Sequence, residues 1–261
     1  MTNPVLENLL NRASVRRFKD QDVEASVIEA IVRAGQQAPF TGQMYSVVVT
    51  KDQSKREEMA KLFGRLPAAG PVFMLICVDF RRLEKFIASK GRTNSYHDDW
   101  MMILGIQDAS YFAQNIVTAA ESLGLGSVFL GAAPWHTERL AEIFALPPRV
   151  WPMVGLVLGY PDGRPAARPR IPLNNVLHWD QYRDLDEQEV AHSLSIMDAG
   201  LIREGYYRNL NGKIPLRNAT DDKVTYDEYG WAEHISRKYG QGGVRAADMK
   251  EILAKQGVNL R

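Results

Sequence analysis

The sequence predicts an α+β domain with a helical C-terminal extension, on three observations. Helical and strand-like patterns alternate over the first 160 residues. Four short runs rich in β-branched or other apolar residues, at 46–50, 72–78, 127–131 and 153–159, recur without a fixed period, which disfavours a solenoid or propeller. From residue 161 a Pro/Gly/Arg loop intervenes, and only helical patterns follow it.

Residues 4–12 and 25–37 read as helices, the second placing Val27, Ile28, Ile31, Val32 and Gly35 on one face. A loop follows Ala38-Pro39, and residues 46–50 read as a strand. A charged helix over 53–63 ends near Gly64. Residues 72–78 are apolar without alternation, as expected of a strand buried on both faces. The longest helix is expected over 106–123, with Ile106, Ala109, Phe112, Ala113, Ile116, Ala119, Ala120 and Leu123 as its stripe and Gly124 just past its C-cap. A strand follows at 127–131. Thr137 is the expected N-cap of a helix over 138–145, which Pro147-Pro148 terminates before the strand at 153–159. Helices at about 186–205 and 246–256 bracket a polar stretch rich in Gly, Asn, Asp and Tyr. Such a tail suits an excursion over the surface, or over a partner, rather than a second independent domain.

Composition narrows the function. Lys and Arg number 32 against 31 Asp and Glu, a net charge of +1, and 45% of residues are apolar. That balance argues against a general electrostatic footprint on nucleic acid and against disorder. The single cysteine, Cys77, excludes an intramolecular disulfide framework and a multi-cysteine zinc site, and its apolar run suits packing rather than nucleophilic attack. His97, His136, His178, His192 and His234 are scattered, so no metal is expected. No apolar run approaches the roughly 20 residues of a membrane span, and the N-terminal residues lack the basic-then-apolar order of a secretory signal. The expectation is a cytoplasmic protein with no membrane and no nucleic-acid partner, in which the sequon Asn218-Ala219-Thr220 is accidental.

An anion site in a neutral chain needs locally placed cations. Arg12, Ser14, Arg16 and Arg17 cluster after the first helix, and an extended segment would turn Arg12, Ser14 and Arg16 to one side. Guanidinium forks match phosphate oxygens, although a solvated basic face accounts for the same residues. Arg168-Pro169-Arg170 is a second basic cluster, stiffened by its proline, that would complete a cage for one phosphate. The Ala38–Gln43 loop offers the Thr41 hydroxyl and the Gln43 amide beside Gly42, or simply connects two elements. The glycines of 124–131 follow a helix and precede a strand, the reverse of a dinucleotide fingerprint. No nucleophile elbow, Walker loop or kinase signature is present.

Taken together, these segments resemble the FMN-dependent nitroreductase family. R-x-S-V-R-R-F after the first helix, A-P closing the second, the block Q-D-A-S…A-Q-N…A-A-E-S-L-G-L-G-S-V-F-L-G, and L-G-Y-P before the tail occur in the family's order over about 5–182. The tail, with A-R-P-R-I-P, looks like the NADPH-preferring branch that includes flavin reductases. The resemblance implies a three-layer α+β fold: a central mixed, mostly antiparallel sheet flanked by helices, in an intertwined homodimer with FMN at the subunit interface. Residues 1–182 would form the FMN-binding domain, with the 106–123 helix central to the interface, and 183–261 an extension packing on the domain and the partner subunit. The implied activity is hydride transfer from NADPH or NADH through FMN N5 to a small-molecule electron acceptor (a nitroaromatic, a quinone or a flavin), with no side chain as general base. A specialised reductase of another metabolite and a non-catalytic flavin-binding module are the alternatives.

Carried over by position, the resemblance assigns Arg12, Ala13, Ser14, Val15 and Arg16 to the FMN phosphate, ribityl chain or pyrimidine edge. Arg168 and Arg170 match tail cations that meet the phosphate. Phe40, Thr41 and Gln43 fall on the loop that meets the flavin from the other subunit. Phe129, Leu130, Gly131 and Ala132 match the strand end along the isoalloxazine, and Arg208 is the candidate for the NADPH 2′-phosphate. Phe40 and Gln43 depart from the small hydroxyl residue and the Asn of many members, which would reshape the pocket over the flavin.

Overall fold

A computed structural model describes residues 3–217, 222–241 and 249–261; the sequon at 218–220 and the expected helical residues 246–248 lie outside them. The chain divides into two compact units, one of Met1–Ala166 with Ala247–Arg261 and the other of Ala167–Ala246. That division comes earlier in the chain than the boundary expected at 182.

The described helices are α1 (Pro4–Leu10), α2 (Ala25–Gln36), α3 (Gln53–Phe63), α4 (Leu66–Ala69), α5 (Phe80–Ala88), α6 (Asp98–Ser122), α7 (Thr137–Phe144), α8 (Glu187–Glu204), α9 (Tyr206–Asn209), α10 (Trp231–Gly240) and α11 (Met249–Lys255). The first unit is built on the strands β1 (Tyr45–Thr50), β2 (Val72–Asp79), β3 (Gly126–Leu130) and β4 (Val150–Gly159). They form one antiparallel sheet in the order β1-β2-β4-β3, registered by Tyr45 opposite Val78, Val78 opposite Trp151 and Leu130 opposite Gly155. Ser14 adds a parallel bridge to Ser127 and Phe18 an antiparallel bridge to Pro161, so the pairing is mixed and mostly antiparallel, as expected.

The unbroken apolar run of β2 has its reason in this order. β2 lies between β1 and β4, and its side chains alternate between two cores. Val72, Met74, Ile76 and Val78 join Ile31 of α2 and Ala109, Phe112, Ala113 and Ile116 of α6. Phe73, Leu75 and Cys77 join Met59 of α3 and Leu140 of α7 on the opposite face. Helices on both faces make three layers. Burying aromatic and aliphatic side chains of this size contributes about 1.5–3 kcal/mol each, so the two cores dominate the stability of the unit.

Three sequence-based expectations change. The longest helix begins at Asp98, not 106, and its stripe ends at the exposed Ile106 and Leu123. Its C-terminus does match: the Leu125 N–H donates to Ala120 O and the Gly124 N–H to Glu121 O, with Gly124 at φ 84°. Thr137 does not N-cap α7; His136 occupies that place, and the Thr137 hydroxyl donates to Pro134 O instead. The polar stretch between the tail helices holds α10, and the second unit has a small core of its own around Leu201, Tyr207 and Tyr229. Asp186 opens α8 with a capping box to Glu189. No helix among the described residues is long and apolar enough to cross a membrane.

Candidate functional site

Residues 12–16 lie beyond the β3 edge of the sheet. The Val15 N–H donates to Ser127 O at 2.8 Å, and a parallel bridge of Ser14 to Ser127 sets the segment beside β3, two residues before Phe129. Val15 is buried, while Arg12, Ser14 and Arg16 are half-buried. Ala13 and Val15 line a cavity of about 290 Å³ with Glu121, Gly126 and Arg164. The Arg12 guanidinium donates to Ser14 Oγ at 3.5 Å, and that of Arg16 to the Ser14 carbonyl at 3.2 Å. Both guanidiniums, expected on one side with Ser14, are thus tied to that residue, Arg12 to its side chain and Arg16 to its backbone.

Glu121 stands behind them. It lies 4.0 Å from Arg12 and accepts from the Ser127 hydroxyl at 3.2 Å. Burial pushes its carboxyl above the ordinary value, against the opposing pull of Arg12, Ser127 and Arg164.

The loop carrying Phe40, Thr41 and Gln43 precedes β1, and all three residues are exposed. Its backbone is held from two directions. The buried Asp108 of α6 accepts from the N–H groups of Thr41 at 2.7 Å and of Gly42 and Met44 at 3.0 Å each. Arg82 of α5 donates to the carbonyls of Gln43 and Tyr45 and, at 3.0 Å, to Ser46 Oγ. Gln43 itself takes a left-handed backbone, φ 49°. The sequence alone assigns no role to Asp108 or Arg82, since each lies dozens of positions from the loop it grips. Asp108 does stand in the Q-D-A-S block and is an acid among the apolar residues of a helix.

Within one chain these two groups do not meet. β1 starts and β3 ends at the same end of the sheet, but the strands are its two edges, three spacings or roughly 14 Å apart. The structure therefore pairs Ser14 and Val15 with Ser127, on the strand that ends at Phe129–Leu130, and leaves Phe40–Gln43 at the far edge.

In the second unit, the Arg168 side chain pairs with Glu204 at 3.0 Å and stacks 3.9 Å over the Tyr206 ring. Arg170 donates to the carbonyls of Arg168 and Pro169. Arg208 pairs with Asp227 at 2.5 Å, both side chains being exposed. Cys77 is fully buried, and burial pushes its thiol well above the ordinary value, so no thiolate nucleophile is present near neutral pH.

Known proteins share this architecture. The family model described as Nitroreductase family matches residues 9–160. The chain is 31% identical to "FMN reductase [NAD(P)H]" of Bacillus subtilis, over 99% of each chain, and 30% identical to "CR(VI) reductase" of Pseudomonas sp. strain G-1, over 98% of this chain and all of that one. Among solved structures, that of the hypothetical oxidoreductase YcnD from Bacillus subtilis superposes with a TM-score of 0.83 at 28% identity, covering all of both chains. The chain belongs to the nitroreductase family.

Proposed function

We propose that this chain is an NAD(P)H-dependent FMN oxidoreductase acting in the cytoplasm, with two copies completing each site. The observation that carries the reading is the pairing of a guanidinium-bearing segment, Arg12–Arg16, with β3 at Ser127, while the Thr41–Gln43 loop stands at the opposite sheet edge. A second copy supplying that loop across a two-fold axis would close the gap of the single chain. The exposed apolar residues Val5, Leu6, Leu9 and Leu10 of α1 and Ile103 and Tyr111 of α6 suit such an interface.

The donor set fits FMN. Arg12 and Arg16 offer forked, permanently charged donors for a phosphate, Ser14 a hydroxyl for the ribityl chain, and the Gly131 region an exposed backbone on which a planar ring can lie. Arg168 and Arg170 keep their sequence-based assignment to the cofactor phosphate, and Arg208 to the 2′-phosphate of NADPH. When bound, FMN supplies the hydride transfer between NAD(P)H and the acceptor. The chain's residues would bind and orient it: the guanidiniums would neutralise the phosphate, backbone groups at 129–132 would support the ring, and the exposed Phe40 and Gln43 would shape the space beside it. Nitroaromatics, quinones and free flavin are the acceptors proposed, in keeping with relatives named FMN reductase and oxygen-insensitive NADPH nitroreductase.

The test is a visible spectrum of the purified protein before and after anaerobic addition of NADPH. A yellow protein bleached by NADPH and recoloured by a quinone is expected. Protein that neither carries nor takes up FMN overturns the reading, and bound FMN that neither NADPH nor NADH bleaches makes the chain a flavin-binding module.

A further inference from the structure

The geometry points to Asp108 as a positioning residue that, with Arg82, presets the Thr41–Tyr45 turn for the flavin ring. Asp108 is 1% exposed and lies in the middle of α6, where an unpaired carboxylate would carry a large desolvation penalty. It is satisfied entirely by backbone: Oδ1 by the Thr41 N–H, Oδ2 by those of Gly42 and Met44. Hydrogen bonds to a charged acceptor are the strong kind, and three of them from one turn fix that turn's peptide planes. The carboxylate takes the donors of residues 41, 42 and 44, and Gln43 between them has a left-handed backbone.

Arg82 completes the arrangement with opposite polarity. It collects the carbonyls of Gln43 and Tyr45 and pairs with Asp79 at 3.6 Å. One side chain thus holds the donors of the turn and another its acceptors, each from a separate helix. Outside these bonds lie the side chains of Thr41 and Gln43, the residues assigned above to the flavin; Gln43 Oε1 accepts from the Tyr45 hydroxyl at 3.5 Å. The role inferred here rests on that FMN reading, and it locates the cost of misplacement at the ring rather than at the phosphate.

The test compares wild type, Asp108→Asn and Arg82→Gln. Asn keeps one acceptor oxygen and turns an NH₂ group on N–H donors, while Arg82→Gln acts at a partly exposed side chain and keeps the fold if Asp108→Asn does not. Amide exchange in the FMN-free protein should accelerate at least about tenfold at Thr41, Gly42 and Met44 in Asp108→Asn, with β2 amides unchanged. Kd should weaken about tenfold in both variants, and equally for FMN and for riboflavin, which lacks the phosphate. Unchanged Kd values in both variants, or a loss for FMN without one for riboflavin, overturn this role while leaving the functional reading intact. A wild-type chain that binds neither flavin overturns the reading and this role together.

Discussion

The Arg12 guanidinium lies 4.0 Å from the Glu121 carboxylate, a side chain only 9% exposed, so a cation assigned to a phosphate already has an anion behind it. Glu121 joins three elements: it faces Arg12 of the basic segment, sits at the end of α6, and accepts from Ser127 of β3. The pair orients Arg12 and offsets part of its charge, which accounts for a cationic site in a chain of net charge +1.

Replacing Glu121 by Gln keeps an acceptor for Ser127 and removes the buried charge. Because burial holds the Glu121 carboxyl above its ordinary value, the charged form costs stability in the folded state. That cost is absent at pH values below the ordinary carboxyl range and grows as pH rises through the raised value. Glu121→Gln should therefore be more stable than wild type near neutral pH, and the difference should vanish toward pH 4. Urea denaturation at both pH values checks this; a difference that persists in acid contradicts it.

Arg16→Ala tests the phosphate end. Loss of charge-assisted hydrogen bonds worth about 1.5–3 kcal/mol should weaken FMN binding by roughly 10- to 100-fold, with riboflavin much less affected. Fluorescence-quenching titrations of both ligands decide it, and equal FMN affinity in variant and wild type removes Arg16 from the site.

How far this was legible in the sequence follows from where each signal was local. The β2 strand and the C-terminus of α6 were legible, because an unbroken apolar run and a helix ending at Gly124 carry their physics in adjacent residues. The start of α6 was hidden by Gly105, which reads as a break; in the fold it is a close-packing position, where a Cβ would sit 2.6 Å from Val78. α5 was hidden because Asp79 is both the last residue of β2 and the N-cap of the helix, leaving no loop to mark the change. α10 carries only Trp231, Ile235 and Tyr239 as a thin stripe within a polar stretch, and its one buried residue is Arg237, neutralised by Asp222 and Glu233. In the site, the family motif marked Ser14 and Arg16. It also contains Asp108, in Q-D-A-S, but nothing local shows what that carboxylate holds, because its partners lie 64 to 67 positions away.

Gly126→Ala tests how tightly the basic segment is docked. A Cβ on Gly126 would lie 2.5 Å from Val15 Cγ2 and 2.7 Å from Val15 Cβ, closer than side chains approach. The overpacking should cost about 1–3 kcal/mol and push residues 12–16 off β3. Val15→Ala in the same chain removes the clashing methyl groups, so the double variant should recover part of both stability and FMN affinity. Thermal melts and FMN titrations of the four-protein cycle read the coupling, and strict additivity rules out the proposed docking.

Arg149→Ala should release the C-terminal segment from the rest of the first unit. Arg149 pairs with Glu84 of α5 and Asp98 of α6, donates to Gly257 O at 2.8 Å, and its N–H donates to Gln256 O at 2.8 Å. Burial alone would raise the Asp98 carboxyl; bonds from Arg149 and from the Asn259 N–H at 2.7 Å outweigh it and hold the group below the ordinary range. Stability from a depressed carboxyl is present above its ordinary value and is lost as pH falls. The substitution should thus cost about 2–4 kcal/mol at neutral pH, since it strands two largely buried carboxylates, and less toward pH 3. Amide exchange at Asn259 and Arg261, whose N–H groups donate to Asp98 and Asp99, should rise well before that of β2. Equal protection of the C-terminal residues in variant and wild type would show that the buried Val258 and Leu253, rather than Arg149, fasten them.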